Sequence, residues 1–489
     1  MVFINSFAPS CLRGNLSFFV IMKLSVVTLL LLVAAFVLSP KIALSAGSGI
    51  FLRADDIIIL GILAYWLISR RKVYRPSVTG LDVPIFIFFI VIMLSGILGI
   101  LRGTAGNSFL PVLYTLKMAE YAVGFYFAAS IVKSSEDISV LLDGFLIIAG
   151  IVCVIGMGEW FWAYHTGRVE SADQWYRIFN NAVYPNDANH IAGFLVTAMA
   201  LAFCRLFMFE KGIWPRMRTA FLLAMIVVTI GLTLSRSGMI ASGVACIVAA
   251  LFMPFRAKAA IALIACCVVL LVLAGSVLAK ERSGIFSEYD DYMKSRENME
   301  DGYWQEYSAA RNRFEAWDAL VRETVQFPVS GAGLGARGRY AYESQYFYML
   351  GEAGLMGLAA FLYLLWKIWK TALYGVHESR SQGVESREPV PESREPRAEC
   401  WPPDSGPLNP EPGTRNPDFE PRTSDNVLPF SFFLFPPSYI FPAFAGAIAG
   451  MAIMSFTSEA FLITRIAGPF WVLAGIAVAM SGQVKSSES

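Results

Sequence analysis

Long apolar stretches recur along the chain and alternate with shorter polar ones. About 20 consecutive apolar residues are enough for a helix to cross the hydrocarbon core of a bilayer. Windows of this length predict about twelve transmembrane helices, centred on residues 20–38, 56–69, 84–101, 110–132, 138–163, 190–209, 218–234, 238–254, 259–279, 346–371, 430–456 and 464–481. The pattern therefore predicts an all-α, polytopic membrane protein.

One polar stretch, residues 280–345, is neither plainly hydrophobic nor of disordered composition. Its second half has Phe314, Trp317, Leu320 and Val321 at helical spacing, which predicts an amphipathic helix. Phe327-Pro328 ends this helix, and the glycine-rich turn over residues 331–335 returns the chain to the membrane. We therefore expect a large, partly helical loop on one side of the membrane.

A second polar stretch has a different composition. Residues 378–426 are rich in proline, glutamate, arginine and serine, and cannot bury enough apolar surface to offset the entropy of ordering. The predicted organisation comprises nine helices in residues 1–279, the loop 280–345, a tenth helix in 346–372, a disordered cytoplasmic insertion in 373–428 and two helices in 429–489.

The first apolar run permits two interpretations. Lys23, the apolar run and Ala43-Leu-Ser-Ala46 resemble a cleaved signal peptide. The run is also long enough to span a membrane, and a retained helix keeps the topology consistent. We favour the retained helix, with Met22 as an alternative start of the protein.

Basic residues in the short loops predict the orientation, because cytoplasmic loops are enriched in lysine and arginine. Such residues follow the second, sixth, eighth and tenth predicted helices, at Arg70, Arg71, Lys72, Arg75, Lys211, Arg216, Arg218, Arg256, Lys258, Lys367 and Lys370. They share one side if both termini are cytoplasmic. The turn at Arg236 and the loops 164–189 and 280–345 then share the opposite side.

Composition narrows the class of protein further. Hydrophobic residues make up 56% of the chain and charged residues 16%, whereas soluble domains carry about 25% charged residues. The net charge of +1 provides no bulk attraction for nucleic acid. The seven cysteines lie mostly in apolar runs without a CxxC pattern, and the three histidines are far apart. We therefore predict no metal site and no cofactor.

Three arginines are candidates for holding an anionic substrate. Arg236 lies between two apolar runs, where a guanidinium is costly unless it meets a partner or a ligand. Its planar fork suits a diphosphate, although an arginine at the interface can also extend to lipid headgroups. Arg313 shares a helix face with Trp317. Arg313, or alternatively Arg311, would complete a two-arginine clamp with Arg236.

Two further groups are candidates for acid–base or sugar-binding roles. Glu343 precedes the tenth predicted helix, where partial desolvation would suit it to act as a general base; it could equally interact with the helix dipole there, as could Glu352. Arg177 and Asn186 belong to a polar cluster before the sixth helix. That cluster could bind sugar hydroxyls, or form a turn and helix cap at Asp187.

Charged residues inside the predicted helices have a structural interpretation. Lys117 and Glu120 are one helical turn apart in the fourth helix and are expected to neutralise each other. Asp55 and Asp56 are expected to begin the second helix.

Several short motifs together resemble the O-antigen ligase and polymerase superfamily of bacterial glycan enzymes. The order of the motifs around a long loop late in the chain is characteristic of this family. The motifs are Arg53-Ala-Asp-Asp56, Tyr184-Pro-Asn186, Leu234-Ser-Arg-Ser-Gly238, Arg313-x-x-x-Trp317, Gly331-x-Gly-x-Gly335, Glu343-Ser-x-Tyr346 and Gly351-Glu-x-Gly-Leu-x-Gly357.

The resemblance implies a glycosyltransferase of the bacterial inner membrane whose catalytic loop is periplasmic. It implies a polyprenyl-diphosphate-linked oligosaccharide donor, a glycan or lipid acceptor and an inverting, metal-independent transfer. By the same resemblance Arg236 and Arg313 hold the donor diphosphate. Further substrate contacts are expected from Arg311, Trp317, Arg177, Asn186, Gln345 and Tyr346.

Three alternatives remain at this point. Ligases that attach glycan to lipid A core usually have histidine where this chain has Glu343, which favours a polymerase with a carboxylate base over a ligase. A transporter or flippase of lipid-linked glycans would also explain many spans with embedded charges, although no inverted repeat is visible. A scaffold in an export complex would explain the proline-rich stretch.

Overall fold

The protein forms a bundle of helices in a computed structural model. The structure describes residues 24–39, 42–43, 51–68, 79–104, 109–166, 178–179, 188–208, 212–253, 324–336, 344–385, 439–456, 458, 460–461 and 463–487. In these ranges the chain forms eleven helices: α1 (Leu24–Leu38), α2 (Ala54–Ile68), α3 (Asp82–Arg102), α4 (Leu110–Ile131), α5 (Ser135–His165), α6 (Ala188–Met208), α7 (Ile213–Leu232), α8 (Arg236–Leu251), α9 (Gln345–Glu385), α10 (Ile440–Met454) and α11 (Thr464–Ser487).

Apart from these helices, the described residues contain a small antiparallel ladder between α1 and α2. Its strands are β1 (Ile42–Ala43) and β2 (Phe51–Leu52), with Ile42 opposite Leu52. The predicted all-α class is therefore confirmed.

Six described helices are long and apolar enough to cross a membrane: α3, α5, α6, α7, the Gln345–His377 part of α9 and the Thr464–Ser481 part of α11. The helices α1, α8 and α10 are apolar but shorter. The prediction of a multi-pass protein is confirmed, and the prediction of about twelve spans stays a prediction. The apolar run predicted as a helix at 259–279 lies outside the described residues.

Some helix boundaries differ from those predicted. The apolar run over residues 218–254 is divided as expected, because α7 ends at Leu232 and α8 begins at Arg236. In contrast, α9 continues to Glu385, past the predicted end at residue 372. The additional residues still include Tyr374 and Val376, and burial of Val376 extends the packed face of the helix.

The centre of the bundle is the packing of α6, α8 and α10 through small residues. A Cβ atom on Gly450 would lie 2.9 Å from the Ala241 carbonyl and 2.7 Å from Val196, and Gly446 lies against Ala245 and Ala249. Small residues allow helix backbones to approach closely when no water is available to drive association. Residue numbers rise in α10 as they fall in α8, so these two helices are antiparallel.

The direction of each helix shows at which end of the bundle its polar residues lie. Arg236 starts α8 at one end, which we call the site end. The opposite end has the ion pair between Arg205 and Asp143, whose atoms Nη1 and Oδ1 are 2.6 Å apart. Lys133 follows α4 there, and Arg216 lies near the start of α7. All three basic residues thus lie opposite the Arg236 turn, and Arg216 among them belongs to the predicted pattern of basic loop residues. The membrane side that each end faces stays a prediction.

Candidate functional site

Arg236 is the first residue of α8 and its side chain is exposed. The preceding Ser235 caps the helix, with its hydroxyl accepting a hydrogen bond from the Gly238 N–H at 3.2 Å. Leu234 has a positive φ of 52°, which turns the chain sharply between α7 and α8. The tight turn and the cap fix the backbone of Arg236, and the guanidinium is left accessible beside the N-terminus of a helix. Both features favour binding of an anion.

Ile178, between α5 and α6, and the start of α6 lie beside this turn. The Ile178 N–H donates to the Leu232 carbonyl at 3.4 Å, so this described part of the connection between α5 and α6 lies against the end of α7. A Cβ on Gly238 would lie 2.8 Å from the Cβ of Ala192, which places the start of α6 against the start of α8. Ile178 and the start of α6 therefore lie at the same end of the bundle as the Arg236 turn, as predicted for the 164–189 loop.

The start of α9 also lies at this end. Because α8 and α10 are antiparallel, Ser455 at the end of α10 lies level with the start of α8. The Ser344 hydroxyl donates to the Ser455 carbonyl at 3.1 Å, and the Gln345 N–H donates to the same carbonyl at 2.8 Å. Ser344, which follows Glu343 in the sequence, is fully buried. The sequence position of the candidate base thus adjoins a fixed point at the site end.

Two predicted substrate contacts, Gln345 and Tyr346, have packing roles in the structure. The buried Gln345 side chain accepts a hydrogen bond from the Phe461 N–H at 3.2 Å. The partly buried Tyr346 donates its hydroxyl proton to the Ala452 carbonyl at 2.9 Å. These bonds hold the start of α9 against the last turn of α10 and against Phe461, between α10 and α11. A direct role in substrate binding stays a prediction for both residues.

Gln345 also lines an apolar cavity between α3, α4, α9 and α11. Phe88, Tyr121, Met349 and Trp471 form much of its wall. The Tyr121 hydroxyl is within 3.1 Å of the Thr464 hydroxyl at the start of α11. Gln345 and Tyr121 therefore mark the part of the cavity that is nearest the site end. The other lining side chains are apolar.

The helix α9 is broken at Gly354, where φ is 67° and ψ is −165°. Residues 324–336, which we call the return segment, lie against this break. The Leu355 N–H donates to the Pro328 carbonyl at 2.9 Å, and the Met356 N–H donates to the Val329 carbonyl at 3.2 Å. These two N–H groups would otherwise bond within the helix, to the carbonyls four residues earlier. The return segment therefore satisfies the donors that the break releases.

The acceptors released by the break are satisfied in the same way. The Ala332 N–H donates to the Gly351 carbonyl and the Gly333 N–H donates to the Glu352 carbonyl, each at 2.9 Å. Unpaired backbone groups are very costly inside a membrane, so the break and the return segment stabilise each other. The predicted glycine turn is thus an integral part of the helix bundle.

Arg102 and Glu352 hold the return segment through side chains. The Arg102 guanidinium donates to the Gly331 carbonyl and to the Ser330 hydroxyl, each at 3.0 Å, and lies 4.5 Å from the centre of the Phe327 ring. The Glu352 carboxylate accepts from the Gly335 N–H. We expected Glu352 to interact with a helix start; the hydrogen bond observed is to the glycine turn.

A partly buried charge cluster occupies another part of the site end. The Lys117 ammonium lies 3.2 Å from Asp55, 2.6 Å from Asp56 and 2.5 Å from Glu120. The predicted Lys117–Glu120 pair is confirmed, and Asp55 and Asp56 are in the first turn of α2, as expected. Arg53 joins the cluster through Asp55 at 2.8 Å. Among the described residues, these three carboxylates form the one cluster whose oxygen atoms are close enough to one another to hold a metal ion. The Lys117 ammonium lies among them.

Three basic residues at the site end were not predicted as site residues from the sequence. Arg465 is 1% exposed and donates to the Ser39 carbonyl at 3.0 Å. Arg53 donates to the Phe36 carbonyl at 2.7 Å, and Arg102 binds the return segment. For Arg53, the signal was its place in the Arg53-Ala-Asp-Asp56 motif. For Arg102 and Arg465, the signal was a charge within or beside an apolar run.

Six predicted site residues lie outside the described residues, namely Glu343, Arg313, Arg311, Trp317, Arg177 and Asn186. Of the remaining predictions, the structure brings Arg236 and Gln345 to the same end of the bundle, and Tyr346 follows Gln345 in α9. The three described cysteines that are free, Cys153, Cys204 and Cys246, are buried, which confirms their packing role.

Taken together, the apolar helices and the return segment define a multi-pass helical membrane protein, with an exposed arginine, Arg236, at a helix N-terminus at one end. A family model described as O-antigen ligase matches residues 220–362. This match confirms, over those residues, the predicted resemblance to the O-antigen ligase and polymerase superfamily. No curated protein matches the chain significantly.

The matched region contains most of the predicted site. It extends from α7 through the break in α9 and includes Arg236, Arg313, Glu343 and Tyr346. Arg177 and Asn186 lie before its start. The family supports glycosyl transfer of the O-antigen ligase and polymerase type in general, with glycan and lipid-linked substrates.

Proposed function

We propose that the protein is an inner-membrane glycosyltransferase that polymerises a polyprenyl-diphosphate-linked oligosaccharide at the periplasmic face. The C–O bond between the anomeric carbon and the diphosphate breaks, and a bond forms between that carbon and an acceptor hydroxyl oxygen. Polyprenyl diphosphate leaves with the bonding electrons, and the acceptor proton passes to a base. Attack from the face opposite the leaving group inverts the anomeric configuration, and the residues proposed below act without a metal.

The observation that carries this proposal is the position of Arg236. It is exposed, it is fixed by the Ser235 cap, and it lies at the bundle end where Ser344 is held by Ser455. The O-antigen ligase match covers Arg236, its Ser235 cap and Ser344. Arg236, the candidate cation, is therefore at one end of the bundle. Glu343, the candidate base, directly precedes Ser344, which is held at the same end.

Arg236 and Arg313 would act on the leaving group. Negative charge grows on the diphosphate as the glycosidic bond breaks, and fixed cations stabilise such charge without reorganisation. A planar guanidinium can bind two phosphate oxygens at once. Placing Arg236 at the start of α8 adds the helix dipole to its own charge.

Glu343 would act as the general base for the acceptor hydroxyl. A carboxylate is suited to this role if its surroundings are partly desolvated. Because ligases that use lipid A core resemble this chain but usually have histidine at this position, Glu343 favours the polymerase over the ligase. Arg311, Trp317, Arg177 and Asn186 would bind sugar or phosphate around this centre.

The experiment uses the full-length protein in liposomes with a polyprenyl-diphosphate-linked oligosaccharide. Glycan chain length and released polyprenyl diphosphate are both measured. Loss of one preorganised charge costs about 100-fold or more in rate, so Arg236→Ala and Glu343→Gln should each lower transfer by about that factor. Arg218→Ala is the matched control, since Arg218 is exposed near the start of α7 at the opposite end, and it should transfer glycan at the wild-type rate.

Each alternative function has a distinct result. A ligase would add glycan only when lipid A core is supplied, and the products would not lengthen without it. A flippase would move the donor across the bilayer and release no polyprenyl diphosphate. Wild-type polymer from both Arg236→Ala and Glu343→Gln would overturn the proposed site.

A further inference from the structure

Arg102 and Glu352 lie in different helices and hold opposite ends of the same five-residue glycine turn. Arg102 is at the end of α3 and binds the Gly331 carbonyl, while Glu352 is in α9 and binds the Gly335 N–H. The Glu352 side chain is 2% exposed. It lies inside the bundle, where its carboxylate accepts from the backbone of the glycine turn.

Further contacts make this attachment tight. The Ser95 hydroxyl donates to the Glu352 carbonyl at 2.7 Å, and the Thr104 hydroxyl donates to the Ala332 carbonyl. A Cβ atom on Gly99 would lie only 2.7 Å from the Cα of Gly333, so the turn lies directly on the backbone of α3. The return segment is thus fixed by α3 on one side and by the break in α9 on the other.

The return segment lies between two of the proposed catalytic residues in sequence. Arg313 is eleven residues before its first residue, Thr324, and Glu343 is seven residues after its last, Ala336. Seven residues reach at most about 25 Å when fully extended. A fixed return segment therefore restricts where the chain on either side of it can go.

We propose that Arg102 and Glu352 are positioning residues, which support glycan transfer by fixing the return segment, from which the chain leads back to Arg313 and on to Glu343 in sequence. This proposal rests on the proposed function. It predicts that Arg102 and Glu352 affect glycan transfer by fixing the position of the return segment and not by contacting the substrate.

Paired substitutions separate positioning from chemistry. Glu352→Gln keeps an oxygen that can accept from the Gly335 N–H, whereas Glu352→Ala keeps no acceptor. Arg102→Lys keeps one donor for the Gly331 carbonyl, whereas Arg102→Ala keeps none. We therefore expect the conservative variant of each pair to retain most of the wild-type behaviour. Equal loss in Glu352→Gln and Glu352→Ala would instead point to a need for the charge itself and would overturn the proposal.

Hydrogen–deuterium exchange of the full-length protein gives a measurement independent of activity. Peptides covering residues 324–336 and 351–356 should exchange about tenfold faster or more in Arg102→Ala and Glu352→Ala, which corresponds to about 1.4 kcal/mol of lost local protection. A peptide from α6 is the internal control and should not change. Unchanged exchange in both alanine variants would overturn the proposal. Faster exchange in α6 as well would also overturn it, because Arg102 and Glu352 would then stabilise the whole bundle and not the return segment in particular.

Glycan transfer is then measured in the same variants. Faster exchange at the return segment should be accompanied by a lower kcat, with a smaller change in KM for the donor, because Arg236 still binds the diphosphate. If exchange changes as expected but the wild-type protein transfers no glycan, the proposed function fails while the attachment of the return segment stands. If exchange changes and kcat stays at the wild-type value, the positioning role is overturned.

Discussion

Gly99 in α3 and Gly333 in the return segment are in direct backbone contact. A Cβ on Gly99 would lie 2.7 Å from the Cα of Gly333 and 3.3 Å from the Ala332 carbonyl. Gly333 has a φ of 108°, a conformation that side-chain-bearing residues rarely adopt. Close approach and backbone conformation thus both require glycine where the turn meets the helix.

We predict that Gly99→Ala lowers the melting temperature of the purified protein. Alanine is the better helix former by up to about 1 kcal/mol, but overpacking at a closed contact costs about 1–3 kcal/mol. Gly158→Ala in α5 is the control, because nothing lies within 4 Å of a Cβ placed there. The control should be neutral or slightly stabilising. A melting temperature in Gly99→Ala that equals or exceeds that of Gly158→Ala would contradict the contact.

The cap at the start of α8 gives a prediction about Arg236. Ser235→Ala removes the hydroxyl that accepts from the Gly238 N–H, and loss of such a cap costs about 1 kcal/mol. Fraying of this turn would move the Arg236 backbone, so we expect glycan transfer to fall about fivefold. Ser235→Asp keeps a capping oxygen and should restore helix stability. Equal transfer by the alanine variant and the wild type would show that the cap does not hold Arg236 in place.

Lys117 gives a prediction that involves cations. Its ammonium lies within 3.2 Å of Asp55, Asp56 and Glu120. In Lys117→Met three carboxylates would face one another without it, and we expect a lower melting temperature, because removing one partner leaves uncompensated charge in a partly buried site. Oxygen atoms within 4.8 Å of one another can share a calcium ion. Calcium should therefore raise the melting temperature of Lys117→Met and leave the wild type unchanged.

Two variants test this interpretation of the cluster. Lys117→Arg keeps the positive charge and should not respond to calcium. Lys117→Met combined with Glu120→Gln removes one of the three carboxylates, so it should be more stable than Lys117→Met alone and respond less to calcium. A calcium-independent melting temperature in Lys117→Met would show that the carboxylates move apart when the ammonium is removed.

Local patterns were sufficient for much of the fold but not for its long-range contacts. The division at Arg236 could be predicted because a polar turn interrupts an apolar run. The Lys117–Glu120 pair could be predicted because its members are one helical turn apart. Asp55 is 62 positions from Lys117, and no periodicity relates positions that far apart in a single sequence.

The candidate site shows the same limit. The glycine turn was predicted from its composition, but its place inside the bundle depends on the break at Gly354, on Arg102 and on Glu352. Helix patterns do not indicate that α9 is broken, since the residues on both sides of Gly354 are apolar. The packing roles of Gln345 and Tyr346 likewise depend on Ser455 and Ala452, about 110 and 106 positions away.

The ion pair at the opposite end of the bundle allows the effect of a mutation on stability to be distinguished from its effect on glycan transfer. Asp143 and Arg205 are 2.6 Å apart, with side chains 13% and 6% exposed. Removing one partner of a buried pair leaves an uncompensated charge and costs about 3–5 kcal/mol. We expect Asp143→Ala and Arg205→Ala each to lower the melting temperature, and the double variant to lose less stability than the two single losses combined.

The same variants provide a reference for the predictions at the site end. Because the pair lies at the end of α6 and the start of α5, away from Arg236, its loss should reduce the amount of folded protein and not the rate per folded molecule. Glycan transfer normalised to folded protein should therefore equal the wild-type value in the double variant, whereas it should fall in Arg236→Ala at unchanged folding. Additive losses in the double variant would show that the two charges do not stabilise each other.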